Sequence, residues 1–91
     1  MRVHWSSKAL AQLDELAEKV QQYSQVAAEK LVDDLINASH QLVDFPYLGR
    51  AVPEAKYPEL HELFVHKYRL VYIVGEHYLE IISVLHQAQQ R

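Results

Sequence analysis

Cysteine is absent from this 91-residue sequence, so neither a disulfide scaffold nor a thiolate metal site can form. A chain of this kind suits a reducing compartment. Glycine occurs only twice, which points to regular elements joined by short loops and away from disorder or low complexity. Long apolar runs are missing as well: the longest, Leu70 to Val74, is far too short to cross a bilayer, and Met1 to Trp5 lack the apolar core of a signal peptide. The expectation is a cytoplasmic protein with no membrane partner. Positive charge is scarce, with nine Lys and Arg against twelve Asp and Glu and a formal net charge of -3. Proteins that grip phosphate backbones ordinarily present a positive face, so this balance argues against general nucleic-acid binding.

The length predicts a single domain spanning residues 1–91 with one core and no room for a second. Val3 and Trp5 alternate with polar neighbours and suggest a short first strand, after which Ser6 and Ser7 offer helix-capping oxygens. Leu10, Leu13, Leu16, Ala17, Val20 and Tyr23 then recur at three-to-four-residue spacing, predicting an amphipathic helix to about Gln22. Ser24 can cap a second helix, which Phe45-Pro46 ends because the residue before proline resists the helical conformation. Its apolar residues fall in two stripes, Leu31, Leu35, Ala38 and Leu42 beside Val32, Ile36 and Val43. That face is wider than one layer of sheet requires, and Leu31, Leu35, Val32 and Ile36 are therefore candidate partner-binding residues unless the first helix covers the excess. Pro46 to Pro58 reads as an ordered loop whose only cations are Arg50 and Lys56.

Leu60 to His86 is dense in Val, Ile, Leu, Phe and Tyr and reads as three antiparallel strands broken at His66-Lys67 and Gly75-Glu76-His77. The predicted fold is α+β: an N-terminal strand and a helical hairpin packed on one face of a mainly antiparallel sheet. Arg69 interrupts the middle strand. A guanidinium among aliphatic side chains is costly unless paired, so Arg69 either pairs with Glu62 or Glu80, or works at a surface that meets an anion or an acidic partner. Cleaving RNA through its 2′-hydroxyl needs proton-transfer groups and cations near the phosphate. Arg69 with Arg50, Lys56 or Lys67 can serve the phosphate, and His86 or a tyrosine can move protons. Each also has a structural reading: His86 as a hydrogen-bonded strand-end residue, Arg50 as a tie for its loop. With a three-residue loop after Val74, Tyr68, Tyr72, Glu80 and His86 share one face and Arg69 lies on the other, whereas a two-residue loop reverses that relation. His61 and His66 fall on opposite faces of a strand, and neither a metal site nor a cofactor is expected.

Four stretches, in this order, resemble the RelE/ParE superfamily of toxins from bacterial type II toxin-antitoxin modules. They are Val3-His4-Trp5-Ser6 leading into Lys8-Ala9-Leu10, Phe45 to Glu54, Tyr68-Arg69-Leu70-Val71-Tyr72, and Ile82-Ser83-Val84-Leu85-His86. The resemblance implies a growth-inhibiting, plasmid-stabilising toxin whose partner is a cognate antitoxin. Members that cut mRNA on the ribosome typically carry several basic residues on the sheet and Arg, His or Tyr beyond the last strand. Here the tail reads Gln87-Ala88-Gln89-Gln90, and His61 and Gln89 stand where many relatives have arginine. The resemblance therefore favours the ParE branch, whose members inhibit DNA gyrase by binding, with no sequence-specific DNA contact by the toxin alone. The alternatives are a RelE-like endoribonuclease acting on ribosome-bound mRNA through Arg69, His86 and Arg50, or a degenerate member of low toxicity.

Overall fold

A computed structural model describes residues 1–53, 56–57 and 59–89. The elements are β1 (Arg2–Trp5), α1 (Ser7–Gln21), α2 (Gln25–Asp44), β2 (Arg50–Ala51), β3 (Leu60–Val65), β4 (Tyr68–Val74) and β5 (Tyr78–His86). The sheet order is β1-β5-β4-β3-β2, with β1 parallel to β5 and every other pair antiparallel. This is the predicted α+β architecture with one addition. Within the segment read as a loop, Arg50 and Ala51 pair with Glu62 and His61 and form a fifth strand at the edge, too short to show any periodicity in sequence.

Both helix starts are built by serine. The Ser6 hydroxyl accepts from the Ala9 N–H and the Ser24 hydroxyl from the Ala27 N–H, each satisfying a donor that the first turn leaves unpaired. The second helix stops at Asp44, with Phe45 outside the helical region ahead of Pro46. Ala9 and Leu13 of α1, and Leu35, Ala38 and Leu42 of α2, pack on Leu70 and Tyr72 of β4 and Leu79, Ile81 and Val84 of β5. Leu31, Val32 and Ile36 lie half-buried against this core. Leu35 is completely buried, a correction to its candidacy as a partner contact: the wide apolar face of α2 is largely consumed by the sheet and by α1. Trp5 donates its indole N–H to the buried Ser39 hydroxyl at 3.2 Å, and Ser39 donates to the Ile36 carbonyl at 2.7 Å, so the polar groups beneath β1 are paired.

A bulge in β5 determines which side chains share a face. Val71 pairs with Ser83, but the next residue, Tyr72, pairs with Ile81, leaving Ile82 extra. Both Ile81 and Val84 thereby face the core although they are three residues apart. The first helix and its cap secure this irregularity: the Val84 N–H donates to Gln12 Oε1 at 2.7 Å, and the Ser6 N–H to the Ile81 carbonyl at 2.9 Å. Three residues separate β4 from β5, and by register Tyr68, Tyr72 and His86 do share the helix-covered face, with Arg69 opposite. Glu80 departs from the expectation. It pairs with Ile73 and falls on the Arg69 face, because the bulge reverses alternation between His86 and Glu80.

Candidate functional site

The sheet face turned away from the helices carries Arg50, Glu62, Phe64 and Arg69, placed together because Arg50 pairs with Glu62 across β2–β3 and Phe64 with Arg69 across β3–β4. The Glu62 side chain is fully buried. Arg50 donates to its Oε1 from Nε at 3.0 Å and from Nη2 at 2.9 Å, while Arg69 Nη1 lies 3.8 Å from Oε2. The sequence left Arg69 to pair with Glu62 or Glu80. Glu62 is the partner, and Glu80 instead lies 3.6 Å from His4 on β1. Only 8% of the Arg69 side chain is exposed, and its Nε has no acceptor among the described residues. Its guanidinium is thus a buried counter-ion more than a surface cation. Arg50 differs: its side chain is 57% exposed and its guanidinium carbon sits 5.2 Å from the centre of the exposed Phe64 ring. Among the described residues two cations share this one carboxylate, and the three groups together carry one excess positive charge.

The approach of Arg50 to Glu62 depends on the turn before it. Tyr72 is buried in the core, donates its hydroxyl to the Pro46 carbonyl at 2.9 Å and accepts from the Gly49 N–H at 3.1 Å. Burial pushes the Tyr72 phenol above its ordinary value of 10.0, outweighing the opposing effect of the Gly49 N–H, so the hydroxyl stays protonated and can donate. Glycine is required at 49 for close approach: a Cβ there would lie 2.4 Å from the Glu62 carbonyl oxygen and 2.7 Å from the Tyr72 hydroxyl. On the helix side, His61 packs between Tyr47 and Tyr72, at ring separations of 5.3 and 5.6 Å. Nothing in the sequence pattern distinguished Tyr72 from the other tyrosines as the anchor of this turn.

The remaining candidates lie elsewhere. His86 is exposed at the end of β5 on the opposite face from Arg69. Its Nδ1 accepts from the Ala88 N–H at 3.2 Å and its ring meets Tyr68 edge-on at 5.6 Å. This is the geometry of a hydrogen-bonded strand end. Lys67 is exposed in the β3–β4 turn and Lys56 in the segment after β2. Beside Lys67, His66 adopts a left-handed φ of 55° and donates from Nε2 to Asp34 Oδ2 at 2.7 Å, clasping the turn to α2. That bond, reinforced by Lys30, holds the Asp34 carboxyl below its ordinary value. Glu54 and Gln90 lie outside the described residues. Among the described residues no group of three His, Asp or Glu side chains can hold a metal ion, and no helix is long and apolar enough to cross a membrane.

Of the α2 candidates, Val32 borders a groove of about 390 Å³ between α1 and α2, whose floor includes Ala17 and Ala28 and whose rim carries Glu29 and Asp33. Leu35 lies beneath α2 and Leu31 and Ile36 flank it, so the four do not form one free surface.

A helical hairpin on one face of a five-stranded mixed sheet is an α+β fold that this chain shares with solved structures, and here the other face carries the arginine-glutamate-arginine cluster. The family described as ParE toxin of type II toxin-antitoxin system, parDE, matches residues 3–91, and the chain belongs to it. A chain of the chromosomal ParDE toxin-antitoxin system from P. aeruginosa superposes with a TM-score of 0.79 at 21% identity, covering 94% of this chain and 95% of that one. The YoeB dimer structure from Staphylococcus aureus gives a TM-score of 0.60 at 20% identity, over 94% of this chain and 95% of that one. At these identities the two structures speak for the fold. No curated protein matches in sequence.

Proposed function

We propose that this chain is the toxin of a type II toxin-antitoxin module, that it inhibits DNA gyrase in the cytoplasm by binding it, and that a cognate antitoxin neutralises it. The match of the ParE toxin family across residues 3–91 carries this reading. The site weighs against the endoribonuclease alternative. General acid-base cleavage requires a proton-transfer group within hydrogen-bond reach of the same phosphate that the cations hold. Arg69 and His86 lie on opposite faces of the sheet, Arg69 is spent on Glu62, and Gln87 and Gln89 beyond β5 neither titrate nor carry charge. The paired test is a supercoiling assay with purified gyrase beside an mRNA-cleavage assay with programmed ribosomes. Inhibited supercoiling with intact mRNA is the expected result, and codon-dependent cuts with gyrase unaffected would replace this function with the alternative.

A further inference from the structure

We propose that Arg50 is a preoriented carboxylate fork through which the open sheet face takes an acidic segment of a protein partner, and that Arg69 serves to offset the charge of Glu62 beneath it. The partner is the antitoxin, so the assignment rests on the function proposed above. Among the described residues Arg50 engages one edge of its guanidinium: Nε and Nη2 both converge on a single oxygen of Glu62, at 3.0 and 2.9 Å. Among the described residues Nη1 has no partner, and the side chain is 57% exposed. Five N–H donors in a planar fork leave the outer edge free to bind a carboxylate bidentately.

Three contacts fix the fork before any partner arrives. The carboxylate of Glu62 holds the inner edge, the Phe64 ring lies against the face, and the Gly49–Tyr72–Pro46 hydrogen bonds set the backbone that precedes it. Ordering a long cationic side chain in advance removes part of the entropy that binding would otherwise cost. Arg69 supplies what a simple Arg50–Glu62 pair would lack. In an isolated pair the buried carboxylate cancels the arginine's charge toward an incoming anion, whereas here the second guanidinium, 3.8 Å from the other oxygen, offsets Glu62 and leaves the three described groups net positive on a chain of formal charge -3. A protein carboxylate fits this patch better than a phosphate backbone does. The fork stands beside the exposed residue Phe64, 46% accessible, suited to an apolar-acidic peptide, and a backbone of phosphates calls for a row of cations.

The test is the affinity of the purified full chain for the protein encoded beside its gene, by calorimetry, for wild type, Arg50→Ala and Arg50→Lys. Arg50→Ala is expected to weaken binding by about tenfold or more, the effect of one charge-assisted bidentate contact. Lysine keeps the charge and loses the fork, so Arg50→Lys is expected to restore less than half of that loss on a logarithmic scale. Both variants are expected to melt cooperatively, because Glu62 retains Arg69. If Arg50→Ala unfolds, wild-type binding in rising salt serves instead: affinity falling with ionic strength is expected, and affinity independent of salt overturns the proposal. Unchanged affinity in a folded Arg50→Ala, full rescue by lysine, or a loss seen only toward single-stranded RNA would each overturn it while leaving the toxin reading intact. Failure of the wild type to bind would remove the antitoxin reading and this assignment together.

Discussion

Replacing Arg69 by methionine keeps most of the side chain's bulk in its buried position and removes the charge that Glu62 faces through Oε2. Removing one partner of a fully buried ion pair typically costs about 3–5 kcal/mol. Two features reduce that figure here: Glu62 keeps its two hydrogen bonds to Arg50, and the 3.8 Å separation from Arg69 is too long for a hydrogen bond. The variant also relieves the buried, unpaired Nε. A loss of about 2 kcal/mol remains, which for a domain of this size lowers the melting midpoint by about 8–16 °C. Glu62→Gln is expected to cost more, about 3 kcal/mol, because Arg69 has no other counter-ion among the described residues and would keep a buried charge unpaired. Thermal melts of the two variants decide the matter. A midpoint for Arg69→Met within 2 °C of wild type, by roughly the scale above, or a smaller effect for Glu62→Gln than for Arg69→Met, would refute the description of Arg69 as a structural counter-ion.

Gly49→Ala is expected to be among the most damaging single-methyl changes, since its Cβ meets a backbone oxygen at 2.4 Å that cannot turn away. Overpacking plus two lost hydrogen bonds amounts to about 3 kcal/mol, read as a drop in denaturation midpoint. Tyr72 should give an alkaline limb: with its pKa raised in the folded state, its stabilisation is complete below the ordinary value of 10.0 and is lost as pH rises through the folded value. In Tyr72→Phe that limb should flatten in pH-dependent melts, at a cost of about 1–2 kcal/mol from the unpaired Gly49 N–H and Pro46 carbonyl. His86→Gln should leave growth inhibition intact and change stability by less than about 1 kcal/mol, as for other exposed strand ends; loss of inhibition in a folded variant would restore His86 to the site.

Much of this architecture was legible in the chain, and the omissions have physical causes. Ser6, Ser24 and the Phe45-Pro46 step marked the helix boundaries because capping and proline sterics are local effects that act at one residue. The sidedness of the last hairpin was only half legible. A three-residue loop correctly separates Arg69 from Tyr72 and His86, but the extra residue at Ile82 moves Glu80 across the sheet. That bulge is held by Gln12 and Ser6 from a distant part of the chain, and strand alternation contains no trace of them. The choice between Glu62 and Glu80 as the partner of Arg69 depended on a different register, that of β3 against β4, which sets Glu62 opposite Val71 while Glu80 sits farther along β4, opposite Ile73. Leu35 looked like one of several equivalent apolar positions on α2, and only the packing of α1 and the sheet shows that it is sealed in the core. The link from Tyr72 to the Gly49 turn spans 23 residues and had no local signal.

The most direct test of the central claim is a titration of purified chain into a fixed amount of DNA gyrase, with supercoiling as the readout. A toxin that acts by binding is expected to inhibit in proportion to occupied gyrase, to saturate at a small whole-number ratio, and to be reversed by the protein encoded beside its gene. Supercoiling left unchanged by excess chain, while the same preparation cleaves ribosome-bound mRNA at ratios far below one, would contradict it.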